Sequence, residues 1–215
     1  MQCPLCGIEY DLSHKCYGVA SDPAPEEAWP NTGGFGFAPG HYVRMGFEIA
    51  LLKGVAIRRA ACDPNAIAYG AVFCGISAAT IFLMSALPSM LRRPAASLET
   101  VALGILLGFI FSWVYLGLIV VGQLSLCHIL AKVVFDGKGT LLGVMRPSLL
   151  AGFVSCLVLI PDLGVFAVAA AWSAIVGRVL EKVNRLPRLP AYLIPGVINF
   201  LFFGLTYHVS KSGLR

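Results

Sequence analysis

Apolar positions crowd this chain into five long runs, at residues 66–87, 101–124, 141–160, 163–180 and 190–209, and no charged residue falls between Val101 and Cys127. A bilayer core is crossed by about 20 mostly apolar residues in helical form. Helix is the expected state for all five, because an open strand would leave backbone groups unsatisfied in lipid. Polar residues mark the ends. Asp63-Pro64 precedes the first run, and Pro88 with Arg92 and Arg93 follows it. The second run carries Ser112 and Gln123, and the fifth contains Pro195 and Asn199. Arg146-Pro147 stands in the first turns of the third, where a guanidinium can snorkel to an interface. Pro161-Asp162 allows only a tight hairpin, and Asp162 is placed to cap the fourth helix.

Composition agrees, with 58% hydrophobic and 13% charged residues, outside the range of soluble globular domains. The expected fold is an all-α integral membrane protein, a bundle of five transmembrane helices with a short zinc-knuckle-like segment at the N-terminus. With five spans, one side receives 12 of the 16 basic residues, from Lys15 through Arg59, Lys132 to Arg146, and Arg178 to Arg188. The other side keeps Arg92, Arg93, Lys211 and Arg215. The positive-inside rule then puts the N-terminus in the cytoplasm and the C-terminus outside. This bias accounts for the net charge of +5 without a nucleic-acid partner. Residues 1–11 lack the apolar core of a cleavable signal peptide, so the first run is expected to direct insertion.

Four units follow: a cytoplasmic head (residues 1–20), a flexible linker (21–40), an interfacial or cytoplasmic helix (41–63) and the membrane domain (64–215). In the head, Cys3-Pro-Leu-Cys6-Gly forms a knuckle whose two thiolates converge on one metal, and His14 and Cys16 close a tetrahedral Cys₃His site for structural Zn²⁺. A reducing cytoplasm argues against a disulfide there; the plain alternative is a disordered tail. The linker is rich in Gly, Pro and acidic residues, and its stretch 31–40 resists regular structure. Residues 42–61 read as one helix, either interfacial or packed under the bundle. Cys62, Cys74, Cys127 and Cys156 sit in apolar surroundings and read as packing residues.

Gln123, Ser125 and His128 cluster where the second run meets the cytoplasmic side. They form either a polar site facing the bundle interior or, the favoured reading, an interfacial histidine with ordinary hydrogen bonds. Residues 126–140 are expected to be a short helix along the cytoplasmic face, with His128 at its boundary. Gly104, Gly108 and Ser112 suit close helix packing within the chain. Asn199 suits a hydrogen bond across helices.

The stretch Leu126-Cys127-His128-Ile129-Leu130-Ala131-Lys132-Val133-Val134-Phe135-Asp136-Gly137-Lys138-Gly139-Thr140, followed by a helix ending in Ile160-Pro161, resembles the Yip1 family of membrane proteins over residues 42–209. Five spans, a cytoplasmic N-terminal region and a helix before the first span fit it too. The resemblance implies bacterial-type members with a zinc-ribbon-like head and, in eukaryotic members, trafficking roles with Rab-type GTPases. It supplies no catalytic residues. The expected protein is therefore a non-enzymatic organiser of a bacterial plasma membrane whose head recruits a cytoplasmic protein, alone or as a homo-oligomer. The alternative is a small transporter or channel with a polar path near Gln123, His128, Asp162 and Asn199. Paired carboxylates or a His cluster within the spans, which a membrane enzyme would need, are missing.

Overall fold

The computed structural model describes residues 39–85, 98–160 and 163–212, with side chains over 39–84, 99–160 and 163–202. The head with Cys3, Cys6, His14 and Cys16, the linker up to residue 38, and Asp162 lie outside these residues. Every regular element described is helical: α1 (Pro39–Ala50), α2 (Gly54–Cys62), α3 (Ala66–Ser85), α4 (Leu98–Phe135), α5 (Leu141–Leu150), a 3-10 helix (Gly152–Leu159), α6 (Gly164–Val183) and α7 (Arg188–Ser212).

Five uninterrupted spans are not what these elements provide. Among the described residues, Ala66–Met84, Glu99–Phe135 and Gly164–Val183 are long and apolar enough to cross a membrane. The third expected span is broken into α5 and the 3-10 helix, bent by 46°, so the pair makes at most a fourth crossing. The described part of α7, Arg188–Phe202, is a shorter apolar helix. Pro147 and Gly152 explain the break: one cannot donate within α5, and the other fits where a side chain would not. A Cβ at Gly152 would stand 2.6 Å from Cys74 Sγ. Carbonyls freed by the break are taken up by α3, whose Ser77 Oγ donates to Gly152 O at 3.3 Å and whose Cys74 Sγ lies 3.9 Å from Leu149 O. Broken helices persist at membrane depth only when such partners exist.

The expected helix over 42–61 is likewise two helices. Leu52 adopts a left-handed conformation, φ 61°, and Lys53 N–H donates back to Glu48 O at 3.0 Å, a Schellman closure of α1. The inner face of α1 buries Tyr42, Met45, Gly46 and Ile49. It packs so closely on α5 that a Cβ at Gly46 would lie 2.6 Å from Leu150 O. Its outer face exposes Val43, Phe47 and Leu51.

A further difference concerns residues 126–140. No separate surface helix forms there; α4 runs unbroken through 38 residues to Phe135, because no Pro or Gly interrupts it between Gln123 and Asp136. The helix stops where Asp136 turns left-handed, φ 52°, and Gly137 N–H reaches back to Ala131 O at 2.9 Å. Against α3, α4 is held by Trp113 Nε1 donating to Ala71 O at 3.3 Å and by Gly108 lying against Phe82. Gly108 thus packs within the chain.

Candidate functional site: a polar layer at the basic end of the bundle

The described polar side chains gather where α6 ends and α4 gives way to α5. Asn184, the C-cap of α6, is 1% exposed and is the hub. Its Nδ2 lies 3.4 Å from His128 Nδ1. With the amide donating, the imidazole is neutral and carries its proton on Nε2. The Asn184 carbonyl accepts Lys138 N–H at 3.1 Å, so the loop between α4 and α5 is tied to the end of α6. Gly139 lies directly on the Asn184 side chain, leaving no room for a Cβ. Thr140 then caps α5, its hydroxyl accepting Gly143 N–H at 3.1 Å. Asn184 Oδ1 is buried with no partner among the described residues.

Two further clusters fix α1 and α2 to this end. Tyr42 donates to Asp63 Oδ2 at 2.8 Å and stacks on Tyr69, while Asp63 Oδ1 accepts Asn65 N–H at 2.9 Å ahead of α3. Burial of the Tyr42 phenol, reinforced by the Asp63 carboxylate, pushes its pKa well above the ordinary range. Arg146 Nη1 donates to Ala61 O at 2.9 Å, capping the last turn of α2. Arg178 Nε donates to Leu52 O at 3.4 Å, and its Nη1 pairs with Glu181 at 2.6 Å. Lys182 and Arg188 approach the same carboxylate at 3.5 Å and 3.9 Å.

These contacts redistribute the residues singled out by sequence. His128 is buried rather than at a boundary, because Asn184, 56 residues away, closes over it. Gln123, five residues earlier on α4, is also buried, and Ser125 is half-buried. Asn199 is not with them: its Nδ2 donates to Ser173 Oγ at 2.8 Å, joining α7 to α6. The proposed path residues therefore fall into separate pairs, and Asp162 lies outside the described residues. Among the described residues no group of three or more His, Cys, Asp or Glu could hold a metal. Asn184 is the residue sequence reasoning missed. Its signal is the run Asn-Arg-Leu-Pro at 184–187, which marks a helix end, with Arg185 left-handed at φ 57°.

Compared with protein-family models, curated proteins and solved structures, the chain matches none.

Proposed function

We propose that the chain is a non-enzymatic integral membrane protein of the kind the Yip1 family represents, holding a zinc-knuckle head on the cytoplasmic side to recruit a protein partner. One observation carries this reading. The two helices that precede the first long one, α1 and α2, are clamped to the bundle, with Tyr42 stacked on Tyr69 and the carbonyls of Ala61 and Leu52 accepting from Arg146 and Arg178. The point from which the linker leaves the bundle is thereby fixed, and the head works from that anchored base. Most of the hydrogen bonds at that end join one helix to another or cap a helix end, as in a structural layer. The broken pair of α5 and the 3-10 helix is the feature that favours the transporter, since broken helices build many transport sites. Here the break is taken up by Ser77 and Cys74 of α3, a packing contact of the kind the organiser reading needs.

In this reading α7 is the fifth crossing, and the two ends of the chain lie on opposite sides. A reporter before Met1 is expected in the cytoplasm and one after Arg215 outside; both on one side would refute the topology. Affinity capture from mild detergent, comparing the intact chain with one lacking residues 1–38, tests the function. Loss of a captured protein with an unchanged bundle melt is expected. An identical captured set, or a solute flux in liposomes abolished by His128→Ala, would refute it.

A further inference from the structure

A groove of about 760 Å³ opens between the last turns of α6 and the first turns of α7, lined by Arg178, Glu181, Arg188, Leu189, Tyr192 and Leu193. Its two halves differ in chemistry. At the mouth, Arg178, Lys182 and Arg188 surround the single carboxylate of Glu181, which leaves two positive charges uncompensated. Glu181 is itself engaged with Arg178, whereas the Arg188 side chain is 84% exposed and reaches the carboxylate only at 3.9 Å. The guanidinium donors of Arg188 are therefore turned to the groove mouth with capacity to spare. On the other side the wall is apolar and continues along α7, where Leu189, Leu193, Val197, Phe200 and Leu201 are all exposed.

The spacing of those residues is that of one helix face. From Leu189 to Phe200 the face runs about 16 Å at 1.5 Å per residue. One leaflet of a bilayer core is about 15 Å thick. A cationic mouth at the end of a membrane helix, joined to an apolar track one leaflet long, has the shape and charge of a phospholipid.

We propose that this groove binds an acidic phospholipid of the leaflet on the basic side of the bundle. The phosphate sits against Arg188 at the mouth, and an acyl chain lies along Leu189, Leu193 and Val197. The surplus of positive charge selects an anionic head over a zwitterionic one, as basic pockets between membrane helices do. Guanidinium groups suit it further, since their paired donors match two phosphate oxygens. The proposal rests on the membrane reading alone and is independent of what the head recruits.

Binding of phosphatidylglycerol and of phosphatidylcholine with the same acyl chains would be measured on the intact chain in detergent by native mass spectrometry. Preference for phosphatidylglycerol is expected. Arg188→Gln should weaken it about fivefold, the effect of one basic residue at an anionic surface. Because that side chain is exposed, the variant should melt like the parent, and Lys132→Gln, an exposed cation on α4, should bind like the parent. Equal binding of both lipids, or equal loss in Arg188→Gln and Lys132→Gln, would overturn the site. Displacement of the lipid by millimolar inorganic phosphate would overturn it too, by showing that the mouth alone is the binding determinant.

Discussion

Gly139→Ala is the sharpest test of the polar layer. The added methyl would land on the Asn184 side chain and come within 3.0 Å of Val183 O, which is backbone and cannot step aside. Asn184 is 1% exposed and has no space to retreat into, so it must leave His128 or drag the α4–α5 loop with it. Overpacking of this kind costs about 1–3 kcal/mol, and losing the Asn184–His128 hydrogen bond adds about 0.5–1.5 kcal/mol. A total of about 2–4 kcal/mol corresponds to a fall in Tm on the order of 10 °C for a chain of this size. Gly117→Ala supplies the control. It sits in helix α4, where a Cβ meets nothing within 4 Å and helix propensity alone makes the change stabilising by up to about 1 kcal/mol. Thermal melts of both variants in one detergent give the comparison. In the Gly139→Ala background, Asn184→Ala removes the group that clashes, so the double variant should lose less than the sum of the singles. A Gly139→Ala melt equal to that of Gly117→Ala, or strict additivity, would refute the hub.

Three other outcomes follow from the contacts. Because the Tyr42 pKa is raised in the fold, its contribution is complete below pH 10 and is lost as pH climbs beyond that. Tyr42→Phe should cost about 1–3 kcal/mol at neutral pH by unpairing Asp63 and should flatten the alkaline fall in Tm. At the break between α5 and the 3-10 helix, Ser77→Ala should cost only about 0.6 kcal/mol, the mean for a hydrogen bond between membrane helices. Gly152→Ala, whose methyl would meet Cys74 Sγ at 2.6 Å, should cost more, about 1–3 kcal/mol. Arg178→Gln releases Leu52 O, so trypsin should cut at the exposed Lys53 several-fold faster; unchanged cleavage would mean that the left-handed elbow holds without its clamp.

The apolar runs were readable because length and hydropathy alone decide which helices suit a bilayer. The cross-helix bond of Asn199 was equally readable, since an amide inside an apolar run has few other uses. What stayed hidden depends on partners far along the chain. His128 looks like a boundary residue until Asn184 covers it. Arg146 looks like a snorkelling side chain, yet its target is the carbonyl of Ala61, 85 residues away. The break at Gly152 is invisible in an apolar run, because a glycine there reads as close packing, and it is Ser77 of α3 that makes the break tolerable. The continuity of α4 was legible in the lack of Pro or Gly between Gln123 and Asp136, but the likeness of residues 126–140 to a separate surface segment pointed the other way.

The length of α4 has a consequence for where the bundle meets water. At 1.5 Å per residue, the 37 residues Glu99–Phe135 extend about 55 Å, nearly twice the ~30 Å hydrocarbon core. Burying all of them would need a tilt of roughly 55–60°, beyond the 0–40° that membrane helices adopt. The 20-residue α3 and α6 match the core when nearly upright. Trp113 and Gly108 tie α4 to the side of α3, which sets its direction. The C-terminal third of α4 must then leave the hydrocarbon on the side where Asn184 and the basic residues lie. Exposed Ile129, Val133 and Val134 are then expected at headgroup level, with Lys132 in water. A spin label at Val133→Cys should therefore be accessible to a polar relaxing agent, and one at Phe111→Cys, 71% exposed but beside the α3 contact, should respond to dissolved oxygen instead. Equal, oxygen-dominated relaxation at both positions would show that α4 lies wholly within the bilayer and that its tie to α3 does not set its tilt.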